Sequence, residues 1–339
     1  MIQRRILMKI AINQIQGGSG VDVWADNFCK GLHQAGHGCS INLYSPVYQF
    51  LPGLARLHLA SSVYDLIQGN TWNGFAFKGD VPLVVTEHLL VHDSILDPYK
   101  SVGQRLYHRW IYRCEKKSID AADAVISVSE YARKKLEDEF GFSDPVVIYN
   151  GIDTAFFKPG PANRRFWEIS DTKTVIFYAG NLSKRKGADL LPAIMHELGE
   201  QYVLLTTTGL TKGSVRKMSN IIETGYLNHD QLLYAYNSCD IFLSPTRLEG
   251  FGLSVAEAMA CGKPVVTTNC SSLPELVVDG KGGFLCRMDD VRDFAEKIRY
   301  LTVEEELRKK MGAFNRKRVE EKFELSRMVR EYIDLYKSL

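Results

Sequence analysis

No Asp-x-Asp occurs anywhere in the 339 residues, so the usual carboxylate pair for a divalent ion on sugar-nucleotide phosphates is missing. No Cys-x-x-Cys occurs either. Seven cysteines (29, 39, 114, 239, 261, 270 and 286) are scattered and odd in number. Most stand among apolar residues, and buried free thiols in a reducing compartment are expected. An excess of one charge is lacking too. The 42 Lys and Arg against 40 Asp and Glu leave a formal net charge of +2, and so weak a field gives no argument for nucleic acid. No apolar run approaches the roughly 18 to 20 residues that a spanning helix needs. The first residues alternate basic and apolar and run into a strand pattern, which is not the layout of a signal peptide. A cytoplasmic protein is the expectation. Low-complexity tracts are absent, as are repeats beyond two similar halves.

What is present is ordinary globular composition, 45% hydrophobic and 24% charged. The length predicts two domains. The most informative stretch is 244–266. Residues 240–244 read as a buried strand, 246–252 as a loop with Gly250 and Gly252, 253–260 as a helix stopped by Gly262 and Pro264, and 265–268 as the next strand. Such a unit is a right-handed crossover in a parallel sheet, whose ligands bind beyond the carboxyl ends of the strands. Gly250 and Gly252, beside Phe251, let the backbone approach a ligand. The N–H groups from Leu253 onward, helped by the helix dipole, favour an anion. Glu249 and Glu257 frame this loop. Each would repel a phosphate, but each is a good acceptor for vicinal hydroxyls. Sugars on both sides of a diphosphate would account for acids on both sides of a helix start, as in a nucleotide-diphospho-sugar. Taken singly, either acid also reads as a solvated surface glutamate.

The Glu249 and Glu257 pair, with seven residues between, resembles the signature of the family-four retaining glycosyltransferases of the GT-B fold. The following Pro-Val-Val-Thr-Thr, Leu273-Pro-Glu275 and Gly283-Phe-Leu are similar as well. The resemblance implies an α/β protein of two Rossmann-like domains with parallel sheets facing a cleft. An acceptor-side domain is expected over 1–156, with a C-terminal helix at about 322–339 packing back on it. A donor-binding domain is expected over 157–321.

In chain order, a strand over 6–13 leads to Gly17, Gly18 and Gly20 and a helix over 21–35. This is a glycine loop without the strict Gly-x-Gly-x-x-Gly, and no acid ends the second strand, which lowers the dinucleotide reading. In the family such a loop faces the donor phosphates; a plain tight turn is the other reading. Strands over 63–68 and 82–86 follow. His88, just after the second, matches a family histidine near the transferred sugar; a structural histidine is the alternative. His92 is four residues on, but no third ligand suits a metal. A helix over 99–117 carries Arg105, Arg109 and Arg113 along one face beside Tyr107, Trp110 and Tyr112. It reads as a solvated face or as a contact for anionic or diphospho-lipid. A strand is expected over 120–129.

The second half opens with a strand over 174–179 and the loop Gly180-Asn-Leu-Ser-Lys-Arg-Lys-Gly187. Long cations at a helix start oppose the dipole, so an anion there would compensate. The family holds the donor diphosphate with an arginine and a lysine. Lys186 matches the lysine, Asn181 stands at the arginine, and Lys184 or Arg185 is the candidate replacement. Gly225 and Tyr226 match the family's base-holding turn. The resemblance therefore implies transfer of a sugar from a UDP- or GDP-sugar, with retention and without metal or other cofactor. The acceptor would be a glycan or lipid-linked hydroxyl at the inner face of a membrane, in bacterial polysaccharide or lipopolysaccharide synthesis. Glu249 would hold the sugar, Glu257 the ribose, Lys186 the leaving phosphate and His88 the sugar or the acceptor proton. A sugar-nucleotide epimerase or hydrolase, a non-catalytic donor-binding subunit and, more weakly, a dehydrogenase remain as alternatives.

Overall fold

The computed structural model describes residues 7–16, 20–58, 63–143, 145–208 and 215–339. They form two compact units. One is Met1–Gly151 with Leu325–Leu339, the other Ile152–Glu324.

In the first unit, β1 (Lys9–Ile15), α1 (Gly20–Gln34), β2 (Gly38–Tyr44), β3 (Leu66–Asn70) and β4 (Leu83–Glu87) lead to the long α2 (Val102–Ala121). Then come β5 (Ala124–Ser127), α3 (Glu130–Phe140) and the two-residue β6 (Val146–Val147). The sheet is parallel, in the order β2-β1-β3-β4-β5-β6. β3 and β4 are buried along nearly their whole length without alternation, as strands covered on both faces must be. A capping box of Ser101 and Gln104 starts α2, three residues later than expected, and the helix runs on to Ala121. Part of the strand expected over 120–129 is thus helix. Asp120 and Ala121 complete α2, because α2 ends only where Ala122 turns extended. β3 likewise starts three residues later than expected and ends at Asn70.

One cysteine expectation is corrected. Cys29 and Cys39 are joined by a disulfide, with Cα atoms 5.5 Å apart. The turn between α1 and β2 brings them together, which scattered spacing could not show. The other five cysteines are free and buried.

The second unit contains β7 (Thr174–Ala179), α4 (Leu191–Leu198), β8 (Tyr202–Thr207), β9 (Ile221–Gly225) and α5 (His229–Ser238). β10 (Ile241–Ser244), α6 (Leu253–Ala260), β11 (Val265–Thr268), α7 (Leu273–Leu276) and β12 (Gly283–Cys286) follow. α8 (Val291–Val303) and α9 (Glu305–Lys322) complete it. Its parallel sheet has the order β12-β11-β10-β7-β8-β9.

The chain returns to the first unit as α10 (Leu325–Tyr336). Leu325, Met328, Val329, Tyr332, Ile333 and Tyr336 are its buried face, at helical spacing. They join Ile10, Ile12, Trp24, Phe28 and Leu32 in one core. The Tyr336 hydroxyl donates to Gln68 Oε1 at 2.7 Å, and the Tyr332 hydroxyl lies 3.0 Å from Thr86 Oγ1. Among the described residues no helix is long and apolar enough to cross a membrane.

Candidate active site

In the second unit the direction of strand order reverses between β10 and β7. Open parallel sheets bind ligands beyond the carboxyl ends of the strands at such a reversal. The loop after β7 and the loop after β10 both begin there, and they are locked together. Gly187 has φ +68°, and a Cβ on it would lie 1.9 Å from the Pro245 carbonyl oxygen. The Arg247 N–H donates to the Arg185 carbonyl at 2.8 Å, and Arg185 Nη1 donates to the Leu248 carbonyl at 2.8 Å. The buried Arg247 guanidinium makes a fork on Asp189 at 2.7 and 2.9 Å, reaches Asp289 at 2.7 Å and bonds the Lys184 carbonyl. Burial alone would lower its pKa. Asp189 and Asp289 outweigh burial and raise it, so the guanidinium stays charged.

This frame sets the central ion pair. Lys186 Nζ lies 2.5 Å from Glu249 Oε1, and Arg185 Nη1 lies 3.6 Å from Glu249 Oε2. Glu249 is 7% exposed, which excludes a solvated surface acid. Burial pushes its carboxyl up, but Lys186 and Arg185 pull it below the usual range. Burial in turn lowers the Lys186 ammonium against the pull of Glu249. One carboxylate facing two cations leaves a positive surplus. Ser271 Oγ accepts from the Glu249 N–H at 3.0 Å, and Ser272 Oγ donates to the Glu249 and Phe251 carbonyls at 3.1 and 3.0 Å. Ser271 itself has φ +47°, a left-handed conformation uncommon outside glycine.

Gly252, with φ +101°, caps α6 at its start. Gly250, Phe251 and Leu253 lie in or beside the same loop. Glu257, one helical stretch on, is 8% exposed. Its Oε2 accepts from the Tyr236 hydroxyl at 2.6 Å. Burial pushes its carboxyl up to about 7, opposed by the Tyr236 bond and by Lys186. Asn181 follows Gly180 in the β7 loop, and its carbonyl accepts from the Tyr178 hydroxyl at 3.0 Å. Lys184 is exposed and lines a cavity of about 860 Å³ with Arg216 and Lys217. Gly225 ends β9 with φ +72°, and Tyr226 beside it is 65% exposed.

The remaining candidates belong to the first unit. Gly17 and Gly18 lie outside the described residues, and Gly20 opens α1. His88 follows β4 with its ring edge-on to Trp24, centroids 4.8 Å apart. Among the described residues its buried Nε2 has no hydrogen-bond partner. Burial holds its pKa down to about 3, so the imidazole stays neutral. His92 Nδ1 sits 3.0 Å from Glu115 Oε2. Glu115 and Glu87 are both buried carboxyls pushed up to about 8, burial being the largest cause. No group of three or more His, Cys, Asp or Glu that could hold a metal occurs among the described residues.

Sequence reasoning missed Arg247 and Tyr236. Arg247 stands two residues before Glu249, but nothing in the spacing names Asp189 and Asp289 as its partners. Tyr236 lies on another helix, and no sequence signal ties it to Glu257.

Two family models match, "Glycosyltransferase Family 4" over residues 40–156 and "Glycosyl transferases group 1" over residues 161–318. The chain belongs to the family 4 glycosyltransferases. The chain is 29% identical over 227 residues to an uncharacterized glycosyltransferase of Methanocaldococcus jannaschii, covering 64% of this chain and 60% of that one. It is 30% identical over 238 residues to the capsular polysaccharide biosynthesis glycosyltransferase CapM of Staphylococcus aureus, covering 63% of this chain and 61% of that one. The matched segment thus spans about three fifths of these two relatives. The Anabaena protein HepE, solved in complex with UDP and glucose, has the same fold, with a TM-score of 0.78 at 18% identity. That match covers 98% of this chain and 100% of HepE. The fold of the chain is GT-B.

Proposed function

We propose that the chain moves a sugar from a UDP- or GDP-sugar to a hydroxyl of a glycan or lipid-linked acceptor, with retention and without a metal ion. One observation carries this reading: Lys186 and Arg185 face the single buried carboxylate of Glu249 at the strand-order reversal of the second unit. As the glycosidic bond breaks, negative charge grows on the leaving diphosphate. Lys186, released in part from Glu249, and the first N–H groups of α6 would stabilise that charge. Preorganised groups of this kind are often worth a few kcal/mol each. Glu249 would then accept hydroxyls of the transferred sugar, Glu257 the ribose diol, and the backbone at Gly225 and Tyr226 the base. Arg185, 3.6 Å from Glu249, or Lys184 would take the place of the arginine whose position Asn181 holds here. A neutral His88 suits hydrogen bonding to the sugar better than lasting proton storage. UDP is supported by its presence with HepE, and surface polysaccharide synthesis by the role of CapM in capsular polysaccharide biosynthesis. Work at the cytoplasmic face of a membrane, with Arg105, Arg109 and Arg113 meeting anionic lipid, fits the basic face of α2.

A thermal-shift panel with UDP, GDP, ADP and NAD, no metal added, tests the donor reading. A ligand at 100 times its Kd stabilises by about 2.7 kcal/mol. A shift with UDP or GDP alone is the expected result and names the base. A shift with NAD alone, or with none of the four, defeats the proposal.

A further inference from the structure

α2 carries two stripes that adjoin each other. Arg105, Arg109 and Arg113 recur every four residues, and so do Val102, Leu106 and Trp110 one step round the helix. The apolar stripe is unusually open, at 76%, 61% and 36% exposure. The turns after β2 extend it, because Phe50 and Leu51 are 62% and 56% exposed and the Phe50 ring lies 5.9 Å from that of Tyr107. Scattered exposed apolar residues are normal, but a contiguous patch marks an interaction surface.

Against the basic stripe lies a cavity of about 740 Å³, lined by Lys100, Arg105, Arg109, Arg113, His92 and His108. Two acids, Asp97 and Glu139, also line it. Lys100 pairs with Asp97 at 3.0 Å, and Arg105 donates to the Asp97 carbonyl at 3.1 Å. Among the described residues Arg109 and Arg113 have no ion pair. Four cations against two acids leave a positive cavity, open toward an apolar ridge. Nε2 of His92 and Nδ1 of His108 are buried and lack hydrogen-bond partners among the described residues, while His92 Nδ1 faces Glu115 at 3.0 Å. Burial, then Lys100, disfavours a charge on His108, and an anion would reverse the second of these effects.

We propose that this face docks a phosphate-headed lipid, the phosphate or diphosphate in the cavity among Arg105, Arg109 and Arg113, and the chains against Val102, Leu106 and Trp110. A basic stripe beside an apolar one is the arrangement that seats a helix in a bilayer interface. The cavity adds a defined seat for one headgroup, which a merely charged helix face does not have. The proposal rests on the transferase reading only in making such a lipid the carrier of the acceptor; the binding itself needs no donor.

The test is co-sedimentation with vesicles of phosphatidylcholine, with and without phosphatidic acid, followed also by Trp110 emission. The intact chain is expected to bind the phosphatidic acid vesicles and to leave the neutral ones. An R109A/R113A double variant should lose about tenfold or more in vesicle affinity, since each basic residue near such a surface contributes severalfold. L106D should lose vesicle binding to a similar degree and keep its thermal shift with inorganic pyrophosphate. Vesicle binding by the double variant equal to that of the intact chain overturns the proposal. So does unchanged vesicle binding by L106D, which would leave a site for free anions only. UDP and GDP shifts measured on the same variants separate this outcome from failure of the donor reading. All three substituted side chains are exposed, so misfolding is not expected and the unchanged melting temperature is the control.

Discussion

Glu257 is poised near neutrality by burial, with Tyr236 holding it lower than burial alone would. If its carboxylate accepts the ribose diol, protonation removes an acceptor. One unit below a pKa of about 7 only about a tenth of the group is ionised. Donor nucleotide affinity is therefore expected to fall about tenfold from one unit above that value to one unit below it. Calorimetric Kd values across this range check it, and E257Q should flatten the profile. Y236F, which removes the bond that favours the ionised form, should move the midpoint upward. For Glu249 the expectation differs, because its carboxyl is held low and ionised. E249A should cut transfer at least about tenfold, equivalent to ~1.4 kcal/mol, and leave nucleotide binding largely intact; equal transfer rates would remove the role assigned to it. At this scale the types and spacing of Glu249, Glu257 and Lys186 were legible in the chain. Their partners were not. The 63-residue separation of Lys186 and Glu249 carries no mark of a contact at 2.5 Å.

At the scale of elements, the site depends on two loops that end different strands and must hold one geometry. Arg247 does most of that holding, through a fork on Asp189 and a bond to Asp289. Hydrogen bonds between charged groups contribute about 1.5–3 kcal/mol each where they are shielded. Both acids here are more than a third exposed, so about 2 kcal/mol for the whole clamp is the reasonable scale after screening. R247A is expected to lower the melting temperature and to weaken UDP or GDP binding together. R247K keeps the charge without the planar fork and should fall between. Loss of stability with nucleotide Kd unchanged would show that the clamp does not shape the site. The strand–loop–helix order around both loops could be read from glycine placement and apolar runs. Some boundaries could not: α2 outlasts its expected end by four residues to reach Ala121, since a polar stretch such as Asp120-Ala-Ala-Asp123 suits a helix end as well as a strand start.

At the scale of the molecule, the first unit is completed by the last helix of the chain. α10 places six buried side chains in the core shared with α1. At the low end of about 1.5 kcal/mol for each large apolar side chain buried, their loss rivals the whole stability of a domain, about 5–15 kcal/mol. Truncation after Glu324 is therefore expected to leave the first unit open to limited proteolysis while the second stays resistant. Equal resistance of both units would refute the dependence. The strand–loop–helix–strand crossover around residues 240–268 was determined by residue pattern, because apolar runs and glycine placement leave local marks, whereas the return of the final helix to the first unit was expected only from the resemblance. Tertiary structure alone decided that Cys29 meets Cys39, that Lys186 and Arg185 close on Glu249, that Tyr236 caps Glu257, and that a basic cavity lies beside the apolar stripe of α2. Each of these joins residues from different elements, and contact across a fold is set by how sheets and helices pack, which no local spacing records.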